Sequence, residues 1–262
     1  MMDRRFYGAR PDKPDHRDYR YTDRRAAAQV AVGERKLPPS INNSDECTRV
    51  WHQKHSDCVG QALVGIAELL YWRKLAIVPE FSPWATYCWA KFCDLWAGED
   101  YEGTSLRAGL KAWAKFGMCP LELWPYMDVP QSNPLPIAAQ YPLRRYEALR
   151  GLWETKHAIH QHGAVVATMC VHSGWDEPVG GVIQPGSGSG DEFHAVMFCG
   201  YDDRYGLMVR NSWGKYWGRG GYAFLRYADF HQNATNVWLP HIENGGWRSK
   251  WARFVRRVFG RV

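Results

Sequence analysis

The sequence predicts an α+β fold, with a helical half followed by a half built of strands. Two observations carry this. Residues 58–76 place apolar side chains at Val59, Ala62, Leu63, Ile66, Leu69 and Leu70, the spacing of one helix over four turns or more. Beyond residue 163 the apolar residues fall in short runs of strand formers: 164–171, 193–200, 206–210 and 221–226. Helices first and strands after suit two packed layers, not an alternating α/β sheet.

Each element has its own signal. Residues 1–36 are polar, rich in Arg and Asp, and read as an extended arm containing Pro11 and Pro14. The globular part is expected to start near Leu37-Pro38-Pro39. Ser56 and Asp57 are suitable caps for the helix at 58–76. Further helices are expected near 82–96 and 104–116, the second capped by Thr104 or Ser105. Five prolines between 120 and 136 mark a long irregular connection. A helix is expected near 144–162, ended by Gly163, and the Gly-rich stretch 179–191 reads as an insert between strands. This divides the chain into the arm, a two-lobed domain over 37–246 (about 37–140 and 141–246) and a basic helix at 247–262.

Charge narrows the function classes. The chain of 262 residues carries a formal +6, and six of its 33 basic side chains lie in 247–262, where there is no acid. The body is therefore neutral, which argues against a nucleic-acid-binding face. The tail WRSKWARFVRRVFGRV carries an apolar stripe (Trp247, Trp251, Phe254, Val255, Val258, Phe259, Val262) flanked by Arg. It either packs on the chain's own body or docks on an acidic partner or an anionic membrane surface. No run of 18 apolar residues suggests a transmembrane span, and the charged start has no signal-peptide pattern. A cytoplasmic or assembly-associated location is the expectation. The seven cysteines are then reduced, and Asn42 and Asn233 stand in chance glycosylation patterns. His157, His160 and His162 form an H-x-x-H-x-H that reads as a solvated helix face, since no acidic or Cys partner is evident. No metal and no cofactor are expected.

One cysteine is placed for chemistry. A thiol attacks as the thiolate, and a helix N-terminus favours that anion. Cys58, alone of the seven, begins a predicted helix. His194 follows 136 residues later at the start of a predicted strand, and Asn211 follows in Asn-Ser-Trp-Gly-x-x-Trp-Gly. His194-Ala195-Val196, Gly200-Tyr201, that Asn block and Gly220-Gly221-Tyr222 together resemble the His and Asn blocks of the papain-like cysteine peptidase family. The Cys-to-His and Cys-to-Asn separations agree with that family's spacing. The resemblance spans roughly residues 8–230.

The resemblance implies a two-lobed papain-like fold, with a helical lobe and an antiparallel sheet or barrel lobe enclosing a cleft. It implies Cys58 as nucleophile, His194 as base, Asn211 as the residue that orients the base, and Gln53 as oxyanion donor. Gly103, Thr104, Phe193 and Trp213 would meet the substrate, with Phe193 flooring an apolar pocket and Trp213 shielding the His–Asn bond. The substrate would be a polypeptide. The chain departs from the family in three ways. Gln53 is one residue nearer the Cys than usual, Ser56-Asp57 replaces Gly-Ser, and Val59 replaces an aromatic. Asp57 puts a negative charge beside the thiolate, which opposes ionisation. These departures keep a second reading open, a papain-fold structural or binding component of a larger assembly such as a phage particle. The 36-residue arm is too short and polar for a helical inhibitory prodomain, so the mature chain is expected near full length.

The tail yields a direct test. Deleting 247–262 is expected to leave folding and thiol reactivity unchanged while abolishing association with a partner, an association that added salt should weaken beforehand. A truncated chain that unfolds, followed by circular dichroism, would assign the helix to the core instead.

Overall fold

The computed structural model describes residues 5–21, 37–47, 49–76, 80–96, 101–188 and 190–242. The basic tail lies outside the described residues. The elements run β1 (Ser40–Asn42), α1 (Cys58–Leu75), α2 (Pro83–Cys93), α3 (Leu106–Phe116), α4 (Leu135–Ala138), β2 (Leu143–Ala148), α5 (Gly151–His162), β3 (Val165–Cys170), β4 (Phe193–Asp202), β5 (Gly206–Arg210), β6 (Tyr222–Leu225), α6 (Tyr227–Asn233) and β7 (Ala234–Ile242).

α1 is the axis of the helical half. Its residues 58–69 are all buried, so this stretch is covered on all sides and needs no polar face, while the last turn opens to water at Trp72 and Arg73. Its length follows from local chemistry. Ala76 takes a left-handed conformation at the C-terminal end and donates its N–H to Trp72. Close packing with α2 depends on Gly60, where a Cβ would stand 2.2 Å from the Pro83 carbonyl oxygen. α2 is capped by Ser82, which accepts from the N–H of Ala85, with Pro83 at the first turn. α3 is capped by Ser105, which accepts from Ala108.

The sheet half is one antiparallel, unclosed sheet in the order β2-β7-β3-β4-β5-β6. β3 pairs with β4 over Phe193–Phe198, and β1 pairs with the far end of β4 at Gly200–Asp202. Alternate residues of β4 enter two different cores. Ala195, Met197 and Cys199 pack with α1, while Val196 and Phe198 join Trp175, Trp213, Trp217 and Ile159 on the opposite face. Burial on both faces explains why this strand has no polar alternation in its sequence.

Two expectations need correction. The helix expected at 144–162 is a strand, a turn and then a helix. Gly151, with a φ of +70°, opens α5, and residues 143–148 become β2 because they pair with β7. β7 itself was not expected. Its sequence, ATNVWLPHI, carries a Pro and an Asn that weaken a strand signal, and partners on both sides override them.

The arm is strapped to both halves. Trp238 of β7 donates from Nε1 to Asp12 (2.9 Å), the Arg107 N–H also donates to Asp12 (3.2 Å), and the Asp12 N–H donates to Asn236 (2.7 Å). Arg107 pairs with Asp18 at 2.5 Å, both largely shielded from water. Tyr21 reaches His157 Nδ1 at 2.7 Å, so that histidine serves the strap, while the His162 ring packs edge-on against His241. Among the described residues, no group of three or more His, Cys, Asp or Glu could hold a metal ion, and no helix is long and apolar enough to cross a membrane.

Trp238 joins the core to the strap, since it is 1% exposed and also holds Asp12. Trp238→Ala is expected to lose about 3–5 kcal/mol of stability, read from the denaturant midpoint. A loss under about 1 kcal/mol would show that the strap and the sheet do not meet there.

Candidate functional site

The site forms where the N-terminus of α1 meets the start of β4. Both pieces are fixed by burial, residues 58–69 of α1 on all sides and β4 on both faces. The contact between them is the backbone N–H of Ala195 directed at Cys58 Sγ, 3.4 Å away. That N–H, together with those of Val59 and Gly8, favours the thiolate. Complete burial and the neighbouring Asp57 outweigh them and push the Cys58 thiol up to about 12.

His194 precedes Ala195. Its Nε2 lies 2.8 Å from Asn211 Oδ1, an oxygen that also accepts from the Ser212 N–H. An oxygen holding that position can only accept, so His194 Nε2 carries the hydrogen. Trp213 lies over the ring, with centroids 4.7 Å apart and planes 26° apart, and Tyr7 of the arm meets it edge-on at 6.2 Å. Enclosed in this way, the imidazole is pulled down to about 4, chiefly by desolvation and despite its bond to Asn211. His194 Nδ1 makes no hydrogen bond among the described residues. Burial thus disfavours the charged form of both Cys58 and His194, and no hydrogen bond joins them among the described residues.

Gln53 is also at the site. Its Oε1 accepts from Ser212 Oγ (2.5 Å), and its Nε2 donates to the carbonyls of His55 (2.9 Å) and Phe6 (3.1 Å). The Phe6 carbonyl belongs to the arm. The arm continues along the cleft: Gly8 and Ala9 donate to the Phe193 carbonyl (3.3 and 3.1 Å), Thr104 donates to Gly8 (2.8 Å), and Arg10 donates to Thr104 (2.9 Å). Gly103 has a φ of +82°, and a Cβ there would stand 2.2 Å from the Gly8 oxygen, so its glycine allows this approach. Phe193 thus meets the arm through its carbonyl, while its ring packs at the margin of the α1 core.

Of the eight residues singled out from the sequence, Cys58 meets Ala195 beside His194, His194 meets Asn211 and Trp213, Gln53 bonds to Ser212 and Phe6, and Gly103, Thr104 and Phe193 meet the arm at Gly8. The arm at 5–12 was missed as a part of this site. The available signal was the small Gly8 between Tyr7 and Ala9, inside a stretch otherwise read as a polar arm. A Cβ at Gly8 would stand 2.1 Å from the Ser56 carbonyl oxygen, so the chain enters only where that residue is glycine.

Asp57 occupies the N-cap of α1 but does not cap it. Its carboxyl accepts from Gln61 (2.7 Å) and Tyr126 Oη (3.2 Å), fully out of contact with water. Desolvation raises it to about 7. The opposition to the thiolate expected from sequence is therefore weakened wherever Asp57 is protonated.

Comparison with known proteins agrees with this geometry. The family model described as papain family cysteine protease matches residues 136–237, which include His194 and Asn211. Mouse cathepsin O is 40% identical over 77 residues, 28% of this chain and 24% of the mouse protein. A cysteine protease of Blomia tropicalis is 30% identical over 118 residues, 42% of this chain and 35% of that one. The matches thus span about a quarter to a third of these relatives' length. Among solved structures, xylellain, a cysteine protease from Xylella fastidiosa, superposes with a TM-score of 0.75 at 24% identity, covering 93% of this chain and all of that one. A digestive procathepsin L2 from Tenebrio molitor gives 0.70 at 18% identity, covering 90% and 78%. The chain has the papain-like fold, and its residues 136–237 are similar to the papain family cysteine protease model.

Asp57 gives a test with a definite sign. A carboxyl raised from 3.8 to about 7 binds its proton more tightly in the folded chain than in the unfolded one. Its contribution to stability is present below pH 4 and is lost as pH rises through 7. Asp57→Asn keeps the shape and never ionises, and Gln61 can reverse its amide because its Oε1 has no partner. The stability of Asp57→Asn relative to wild type is expected to climb between pH 4 and 8, measured by urea unfolding. A flat or falling difference would mean that Asp57 ionises freely.

Proposed function

We propose that this chain is a thiol-dependent peptidase whose own N-terminal arm occupies the cleft in the resting state. The observation that carries this is the set of partners the arm has taken. Gln53, expected as the oxyanion donor, and Thr104 and Phe193, expected to meet the substrate, all bond to the backbone of residues 6–10.

The arm is held in a position unsuited to cleavage. Gln53 grips the Phe6 carbonyl, yet the arm turns the N–H of Gly8 toward the sulfur, two residues further on. The sulfur faces a donor and not a carbonyl carbon. With the arm displaced, water reaches the site and the desolvation that keeps Cys58 and His194 neutral is relieved. The thiol proton then passes to His194 Nδ1, the nitrogen left without a hydrogen. Asn211 holds Nε2–H and stabilises the imidazolium. The α1 N-terminus and the Ala195 N–H favour the thiolate. Attack of sulfur on the substrate carbonyl gives a tetrahedral oxyanion held by Gln53 Nε2–H and the Cys58 N–H. His194 returns the proton to the leaving amine, and water releases the acyl group by the same steps. Trp213, stacked on His194, keeps water from the His–Asn bond. The intact set of Cys, His, Asn and Gln supports catalysis over a purely structural role. The described cysteines are unbridged, which supports a reducing location, cytoplasmic or within an assembly.

Two variants test this together. Cys58→Ala is expected to abolish peptide hydrolysis, and substitution of any other cysteine to spare it. Gly8→Val cannot keep the arm seated, because its Cβ would collide with a backbone oxygen that cannot yield. Its Cys58 is expected to react with a peptidyl epoxide at least about tenfold faster than wild type at pH 7, while wild type stays slow from pH 5 to 9. Adduct mapping by mass spectrometry reads both. Equal rates would remove the arm from the mechanism, and hydrolysis by Cys58→Ala would remove the nucleophile.

A further inference from the structure

The arm carries two arginines through the cleft, and each is seated on aromatic faces. The Arg5 guanidinium lies 4.8 Å from the Trp213 ring centroid and donates to the Asp176 carbonyl at 2.8 Å. Arg10 lies 3.9 Å from the Tyr101 centroid and 5.2 Å from that of Trp96. A planar, weakly hydrated guanidinium favours such stacking.

The walls around these seats carry one sign of charge. The groove of about 680 Å³ beside Trp213 is lined by Asp176 and Glu177, and among the described residues no Lys or Arg other than Arg5 lines it. His52 and Tyr216 complete that wall, and Tyr216 is 91% exposed. The groove on the other side of the site is lined by Glu102, Asp191 and Glu192, again with the arm's own arginine as the one cation. Lys91 also lies against the Tyr101 ring, so the Arg10 seat has a competing cation nearby, whereas the Arg5 seat has none along its lining. A cleft lined by carboxylates disfavours anionic side chains and concentrates cationic ones.

We propose that the cleft selects peptides bearing arginine or lysine, seated where Arg5 now lies on Trp213 and the Asp176 carbonyl, in the groove that Asp176 and Glu177 line, with a second, weaker seat where Arg10 lies. This names the substrate class for the peptidase reading and rests on it. The body of the chain is neutral, so this preference comes from the placement of acids in the cleft and not from net charge.

Binding and turnover test it separately. The full chain carrying Gly8→Val and Cys58→Ala is titrated with a labelled octapeptide containing arginine, and with its citrulline counterpart of the same shape and no charge. Fluorescence anisotropy is expected to show the arginine peptide binding at least tenfold tighter. Adding Asp176→Asn and Glu177→Gln is expected to cut that ratio to about threefold or less, and raising the salt concentration to reduce it as well. Equal affinities, or no binding by either peptide, overturn the proposal. Gly8→Val with Cys58 intact is then given a mixed peptide library. Cleavage enriched in Arg and Lys supports the proposal. Cleavage without that enrichment overturns it and leaves the peptidase reading standing. Charge-selective binding without any cleavage supports the seat and removes the peptidase reading. Should Gly8→Val not fold, the full chain with Arg5→Glu and Arg10→Glu tests the same seats. It is expected to expose Cys58 to alkylation, and protection equal to wild type overturns the proposal.

Discussion

The burial of residues 58–69 of α1 on all sides is the constraint from which the site follows. A helix enclosed by α2, α3 and one face of the sheet cannot rotate or slide without breaking contacts along its length, and Gly60 brings it close to α2. Its N-terminus is therefore fixed against the first residues of β4. Cys58 and Ala195 meet because each belongs to an element that packing leaves no freedom. Asn211 follows β5, which is paired to β4, so the orienting residue inherits its place from the same register.

Rigidity in the two halves leaves the arm as the adjustable part. It forms no helix or strand of its own between residues 5 and 21, and it is held by backbone bonds to Phe193, Thr104 and Ala148, by the strap through Asp12, by the Arg107–Asp18 pair and Tyr21–His157 bond, and by the aromatic seats of Arg5 and Arg10. Inside the cleft it excludes water, and exclusion of water is what makes Cys58 and His194 neutral. The resting electrostatics and the blockage of the cleft thus have one cause. The same burial raises the thiol and lowers the imidazole, so displacing the arm shifts both toward the ion pair at once.

The α1 signal was legible because a helix of five turns with apolar residues at 59, 62, 63, 66, 69 and 70 leaves little room for another reading. The His and Asn blocks were legible because their residues are bound by chemistry: Asn211 must face His194, and Trp213 must cover the pair. What escaped depended on partners distant in sequence. The sequence of β2, LRRYEA, has no strand pattern until β7 lies beside it, so local signals alone favour a helix there. β7 was passed over for the same reason. The sequence of the arm reads as polar and extended, and nothing local in it says that Phe6 meets Gln53 or that Gly8 meets Ser56. Phe193 is expected to floor an apolar pocket, and the groove it lines holds Tyr7, Pro11 and Trp96 together with Glu102 from one loop and Asp191 and Glu192 from another.

Asp57 shows how a departure from the family pattern can be accommodated. A carboxylate beside a nucleophilic thiol is costly if both are charged. Here the carboxyl is buried with Tyr126 and Gln61, and burial raises it to about 7, so the fold favours its protonated form on the acidic side of neutrality. The group that would oppose the thiolate is thereby made conditional on pH. Asp57 is held by Gln61 and Tyr126 of the helical half, whereas Gly8 of the arm reaches Cys58, so opening the cleft alters the surroundings of the thiol beside a carboxyl that stays buried. Their ionisation is then decided by mutual repulsion as well as by solvent, and the thiolate is favoured most where Asp57 still holds its proton.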